Sequence, residues 1–142
     1  MRLALLEARK AAAEEEIPVG CVIVSAAGEV LAAGHNRREH LSDATAHAEI
    51  EAIREACRKQ GGWRLDECAI YVTLEPCPMC AGAILNARIP VVVYGAREEK
   101  SGSCGSVVDL FSENYGFHPR VYGGVLKEES AALLREFFEK KR

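Results

Sequence analysis

AIYVTLEPCPMCAGAILNARIPVVVYG, residues 69–95, carries two apolar runs with a third apolar segment between them. AIYVTL at 69–74 and PVVVYG at 90–95 are nearly unbroken, as strands covered on both faces are. PMCAGAILNA at 78–87 is apolar almost all round and suits a buried helix. Strand, helix, strand in that order predicts a parallel βαβ unit with a right-handed crossover. On the amino-terminal side, residues 2–15 read as an amphipathic helix built on Leu3, Leu6 and several alanines. VGCVIVS at 19–25 and EVLAAG at 29–34 are separated only by a short turn containing Gly28, so they are expected to pair as an antiparallel hairpin. Ala46, Ile50, Ile53 and Cys57 recur at spacings of four, three and four, a helical stripe that Gly61-Gly62 stops. On the carboxyl-terminal side, 96–118 forms a long connection with a short helix near Val107–Phe111, followed by a strand near 120–125 and a helix over about 127–139. The expected architecture is α/β, a three-layer α/β/α arrangement around a mixed five-stranded sheet. Nothing in 1–142 reads as a linker, so one domain is expected.

The composition limits the function. Hydrophobic residues make up 49% and charged residues 27% of 142, ordinary for a globular chain. No stretch approaches the roughly 20 apolar residues of a membrane span. Glu7, Arg9 and Lys10 interrupt the amino terminus too early for a secretory segment, which leaves the cytoplasm as the expected location. The net charge of −3 lends no support to a nucleic-acid partner. The local basic groups are Arg37-Arg38, Arg58-Lys59, Lys100 and Lys140-Lys141-Arg142; each alone reads as solvated surface. Six cysteines without an export signal argue for reduced thiols or a metal. Cys21, Cys57 and Cys68 read as small core residues, whereas Cys104 in the loop SGSCGS has no obvious place.

Two short segments concentrate the chemistry: His47-Ala48-Glu49 and Pro76-Cys77-Pro78-Met79-Cys80. Pro78 suits the first position of a helix, which makes Cys77 its N-cap. Cys77 and Cys80, three apart, then share a face near the unpaired amides and positive dipole end, where the thiolate is favoured. Two such sulfurs and His47 supply the three protein ligands of a catalytic zinc site and leave a position for water. A closed structural site would need His35, His40 or His118 as a fourth ligand, and none of these shows a motif spacing. A redox role for the Cys-x-x-Cys pair would leave His47 and Glu49 without a purpose. Glu49 has an ordinary alternative, since acidic residues suit the first turn of any helix. Two residues after a ligand, it reaches the open zinc position only if both lie at the helix start. Two thiolates and an imidazole cancel the formal charge of the ion, so its water is less acidic than one on three histidines. Glu49 is therefore expected to take the water's proton, pass it to a ring nitrogen, and serve the leaving amine afterwards.

His47-Ala48-Glu49 followed by Pro76-Cys77-Pro78-Met79-Cys80 resembles the signature of the zinc nucleobase deaminases, the cytidine/deoxycytidylate deaminase superfamily. EIPVGCVIV at 16–24, GHNRRE at 34–39, TAHAEIEAI at 45–53, TLEPCPMCAGAI at 73–84, the stretch Gly95–Leu110 and LLREFF at 133–138 narrow the resemblance to bacterial tRNA-specific adenosine deaminases. The resemblance implies a cytidine-deaminase-like fold, one Zn2+ per subunit, and conversion of adenosine to inosine at the wobble position of a tRNA anticodon. It further implies a homodimer that contacts the anticodon stem-loop with both subunits. Asn36 matches the position that binds the target base, and the backbone amide of Ala48 is expected to face its polar edge. Asn36 has the alternative of simply turning the chain after the second strand. Glu98 in GAREEKSG stands where many members carry Asp, which changes the reach of that charge. The alternatives are a deaminase of guanine, cytosine or deoxycytidylate, and a catalytically silent zinc-stabilised RNA-binding module; Glu49 argues against the second.

Overall fold

The computed structural model describes residues 1–142. In chain order, its elements are α1 (Arg2–Ala13), β1 (Gly20–Val24), β2 (Val30–His35), α2 (Arg38–Leu41), α3 (Ala48–Gln60), β3 (Ala69–Leu74), α4 (Pro78–Ala87), β4 (Val91–Ala96), a 3₁₀ turn (Leu110–Ser112), β5 (Arg120–Tyr122) and α5 (Lys127–Lys140). The five strands form one mixed sheet in the order β2-β1-β3-β4-β5. β1 and β2 pair antiparallel around the Gly28 turn, whose φ of 84° suits glycine. β1 also pairs antiparallel with β3, while β3–β4 and β4–β5 are parallel. The α/β architecture with a five-stranded mixed sheet is therefore the one expected, and the crossover between β3 and β4 is α4.

Three glycines set the layers. A Cβ on Gly20 would collide with the backbone of Ala4 and Ala8, and one on Gly95 with Ser130, so α1 and α5 press against the same face. On the other face, a Cβ on Gly34 would lie 2.8 Å from the Ala48 carbonyl oxygen and 2.9 Å from the Ala52 nitrogen. α3 packs there beside α4. This close approach explains where the stripe prediction for α3 slips. The fully buried residues of the helix are Ala48, Ala52 and Ala56, with Glu49, whereas Ile50, Ile53 and Cys57 are only partly covered. Only alanines fit against a strand that has given up its side chain at Gly34, so the larger residues turn to the margin of the interface. The helix also begins at Ala48 and not at Ala46, with His47 as its N-cap.

Other differences are local. α1 ends at Ala13 and Glu15 takes a left-handed φ of 62°. The four-residue α2 was not foreseen, the helix expected near 107–111 is a 3₁₀ turn at Leu110–Ser112, and the last strand is only Arg120–Tyr122. Ile23, Ile70, Val72, Ile84, Ile89 and Val92 form the centre of the core with Leu65. Cys21 and Cys68 are buried with them as expected; Cys57 is only partly covered.

The pairing register fixes where loops meet. Gly20 at the start of β1 lies opposite His35 at the end of β2, and its amide donates to Thr73 Oγ1 near the end of β3 at 3.1 Å. The segments after β2, β3 and β4 therefore emerge at one end of the sheet, where α3 and α4 begin. Gly34→Ala should push α3 off the sheet and cost about 1–3 kcal/mol of stability by overpacking. Urea denaturation would check it, and an unchanged midpoint would contradict the close approach.

Candidate active site

His47 and Cys77 occupy equivalent places. Each is the N-cap of its helix with extended backbone, φ −76° and ψ 157° for His47, φ −76° and ψ 173° for Cys77. Pro78 follows Cys77 at the first helical position, where its missing N–H is no loss. Cys80 sits in the first turn of α4 and is fully buried. The His47 Nδ1 lies 3.6 Å from Cys77 Sγ and 3.6 Å from Cys80 Sγ, and the three atoms are mutually within 4.8 Å. Ligands about 2.1 and 2.3 Å from a tetrahedral zinc ion lie about 3.6 Å apart. The donor set, two sulfurs and one imidazole, thus suits one Zn2+ in spacing as well as chemistry. His35, His40 and His118 stand outside it. His35, the last residue of β2, lies between the carboxylates of Glu7 and Glu14 at 3.3 and 3.0 Å. The His40 ring is 3.2 Å from Glu16, and His118 Nδ1 is 2.9 Å from the Phe111 carbonyl.

The electrostatics differ between the two thiols. A hydrogen bond from Cys80, with help from His47 and the Cys80 amide, holds Cys77 down at about 4. The same hydrogen bond, together with burial, drives Cys80 far above the ordinary thiol range. Two neighbouring thiolates repel, and a divalent cation between them removes that repulsion. Cys77 as thiolate in turn raises the basicity of His47.

Glu49, in the first turn of α3, is 3% exposed. Burial pushes its carboxyl up to about 7, and the neighbouring Cys77 adds to this against the opposing pull of its own amide and of His47. A proton acceptor poised near neutrality is what general acid–base chemistry requires. Glu49, His47, Ala48, Cys77, Asn36 and Glu98 all stand in the wall of one cavity of about 190 Å³. The Ala48 N–H, at the first position of α3, finds no acceptor in the chain. Asn36, 8% exposed, uses its amide at both ends: Nδ2 donates to the Ile17 carbonyl at 3.3 Å and Oδ1 accepts from the Arg38 amide at 3.2 Å. The turn-forming role of Asn36 is therefore real, and each amide end keeps one further hydrogen-bonding position.

Two buried glutamates were missed by the sequence reading. Glu16, 1% exposed, accepts the amides of Glu39 at 3.1 Å and His40 at 2.7 Å and thereby anchors α2 beside the cavity. Glu75, 2% exposed, accepts the amides of Glu98, Cys104 and Ser106 at 3.1, 2.9 and 3.1 Å. They lie inside the short motifs EIPVG and TLEPC, but Glu16 ends a run of three glutamates and Glu75 is a single charge, so neither stands out from a surface acid along the chain. The departure at Glu98 is also resolved in part: its Oε1 accepts the Lys100 amide at 3.0 Å, a local turn contact.

These features belong to a recognisable class. The model of the cytidine and deoxycytidylate deaminase zinc-binding region matches residues 1–96. A tRNA-specific adenosine deaminase of Agrobacterium fabrum is 50% identical over the whole chain and 93% of its own length. A tRNA(Ile)-lysidine synthase of Deinococcus radiodurans is 48% identical over 95% of this chain, which spans only 23% of that relative. A solved structure from work on A-to-I editing by tRNA:A34 deaminases at the wobble position of transfer RNA superposes with a TM-score of 0.90 at 49% identity, covering 94% of this chain and 97% of that one. The chain belongs to the zinc-binding cytidine and deoxycytidylate deaminase family, within its tRNA-specific adenosine deaminases.

Burial by itself would raise the Glu16 carboxyl, but the amides of His40 and Glu39 and the His40 ring outweigh it and hold it below the usual range. Its stabilising contribution is complete above the unfolded carboxylate pKa and is lost as pH falls through the lower folded value. Glu16→Gln should therefore lower stability at neutral pH and weaken the acid dependence below about pH 4.5. Denaturation midpoints from pH 7 to 3 would check this, and parallel curves for the two proteins would contradict it.

Proposed function

We infer that the chain deaminates adenosine to inosine at the wobble position of a tRNA anticodon. The observation that carries this is the ligand triad with a buried carboxylate at the mouth of α3, joined to full-length kinship with tRNA-specific adenosine deaminases. His47, Cys77 and Cys80 hold one Zn2+, which when bound activates water as the nucleophile. Glu49 takes the water's proton, delivers it to a ring nitrogen as the carbon becomes tetrahedral, and then transfers the second proton to the departing amine, which leaves as ammonia. Its burial keeps bulk water from competing for those protons. The cavity, about 190 Å³, lies below the roughly 300–1,000 Å³ usual for pockets that take drug-sized ligands, which suits a single base. A base embedded in RNA must swing out of its stack to enter. There, Asn36 offers a donor and an acceptor to the purine edge, and the free Ala48 amide offers another donor.

The anticodon stem-loop is the proposed partner and a homodimer the proposed assembly, since the family resemblance implies RNA contacts from both subunits. The cytoplasm is the proposed location. No helix is long and apolar enough to cross a membrane. Sedimentation should give twice the 15.5 kDa chain mass; a 15.5 kDa species at assay concentration would remove the dimer.

The zinc-loaded protein should form inosine within an anticodon stem-loop, with release of ammonia, and leave free adenosine, cytidine and guanine unchanged. Turnover of a free base, with none of the RNA, would instead make it a base deaminase. Glu49→Gln should retain one zinc per chain yet lose turnover by about 10²–10⁴, whereas Cys80→Ser should lose both zinc and activity. Zinc analysis beside product analysis separates the two variants, and an active Glu49→Gln protein would remove the proton-transfer role.

A further inference from the structure

Glu75 takes no part in the chemistry described above, yet it is among the most enclosed charges in the molecule, 2% exposed. Its carboxylate is saturated from one side. Oε1 accepts the Glu98 amide at 3.1 Å and the Ser106 hydroxyl at 2.5 Å; Oε2 accepts the Cys104 amide at 2.9 Å and the Ser106 amide at 3.1 Å. All four donors lie on the loop that follows β4. A Cβ on Gly102 would sit about 2.5 Å from both carboxylate oxygens, so the loop closes over the carboxylate where a side chain is missing. The Ser103 amide donates to the Pro76 carbonyl at 2.8 Å, a further tie between the same loop and the segment that leads into α4. The loop in turn carries Glu98 and Ser101 into the cavity wall that Asn36 and Arg38 also line.

We propose that Glu75 is a positioning residue: it fastens the 98–106 loop to the metal-bearing segment and so fixes the wall of the cavity against which the substrate RNA docks. The role rests on the functional reading above for its substrate, but the loop's attachment does not. A glutamine cannot replace this carboxylate. Whichever way the amide is turned, its NH₂ group meets two donors, so two of four hydrogen bonds are lost and donors face each other. His47 and Glu49 are placed by the start of α3 and Cys77 and Cys80 by the start of α4, and the loop reaches the second helix through the hydrogen bond to Pro76, outside the ligand residues themselves. The loss should therefore fall on substrate binding and not on the reacting groups.

Zinc-loaded parent, Glu75→Gln, Ser106→Ala and Gly102→Ala proteins should be compared on the anticodon stem-loop and by amide hydrogen exchange. In Glu75→Gln, KM should rise about tenfold or more, the loss of one good hydrogen bond or more. The turnover number should stay within about threefold, with one zinc retained. Amides 98, 104 and 106 should exchange faster. Gly102→Ala, which presses on the carboxylate from the loop side, should act in the same direction, and Ser106→Ala more mildly. Parental KM and parental exchange in Glu75→Gln would overturn the proposal. So would a loss of zinc or of fold in Glu75→Gln while the other two variants keep parental KM and exchange, because Glu75 would then merely support the helix. A parent chain inactive on the RNA would defeat the substrate assignment instead, and the exchange rates of the three variants would still decide whether the carboxylate holds the loop.

Discussion

The site depends on two helix beginnings meeting at the same end of one sheet. α3 and α4 start next to each other because β2 and β3 both end there, and that coincidence is set by the antiparallel pairing of β1 with each of them. Each helix contributes its N-cap residue, His47 and Cys77, at a place where the backbone is still extended and the side chain looks outward past the first turn. The unpaired amides and positive dipole ends at that point favour anionic sulfur. They also explain why Glu49 and Cys80, both in first turns, can face the same small volume. Moving either helix by one residue would turn a ligand into the core. Gly34 guards against this from the other side, since the contact of α3 with β2 tolerates no side chain there.

Three buried glutamates illustrate how surroundings decide the behaviour of one chemical group. Burial raises the proton affinity of all three. Glu16 and Glu75 receive amide and side-chain donors in sufficient number to reverse that effect, and their carboxyls sit below the usual range. For Glu49 burial wins: its own amide, the nearby imidazole and a hydrogen bond from Cys80 pull the other way, while the Cys77 thiolate adds to the rise. The first two are fixed anions that order separate segments beside the cavity. The third is poised to exchange a proton. Chemical roles thus follow the count of donors more closely than they follow depth.

The central βαβ unit and the segments that bring His47, Cys77 and Cys80 together were legible in the sequence because each depends on short-range information. Continuous apolar runs mark the inner strands β3 and β4, and Pro78 marks the start of α4 one residue after Cys77. The helical stripe of α3 was misread because the deciding fact, the absence of a side chain at Gly34, is a contact between distant segments. α2 escaped notice for a similar reason: four residues carry no periodicity, and the helix is tied down by Glu16 from 23 and 24 positions away. The two organising glutamates look, along the chain, like ordinary surface charges. Their donors are backbone amides, which every residue possesses and no sequence displays.

The last strand carries a consequence of its own. β5 is three residues long, preceded by Pro119 and followed by Gly123-Gly124, where a Cβ on Gly123 would strike the Tyr94 ring and the Gly124 and Val125 amides turn to the Gly95 and Tyr94 carbonyls, each at 3.1 Å. A strand so brief exposes too few amide and carbonyl groups for a foreign chain to zip alongside it. The parallel half of the sheet, with its strongly apolar strand β4, is in this way shut against fibre-like growth on the side where it would otherwise be most inviting.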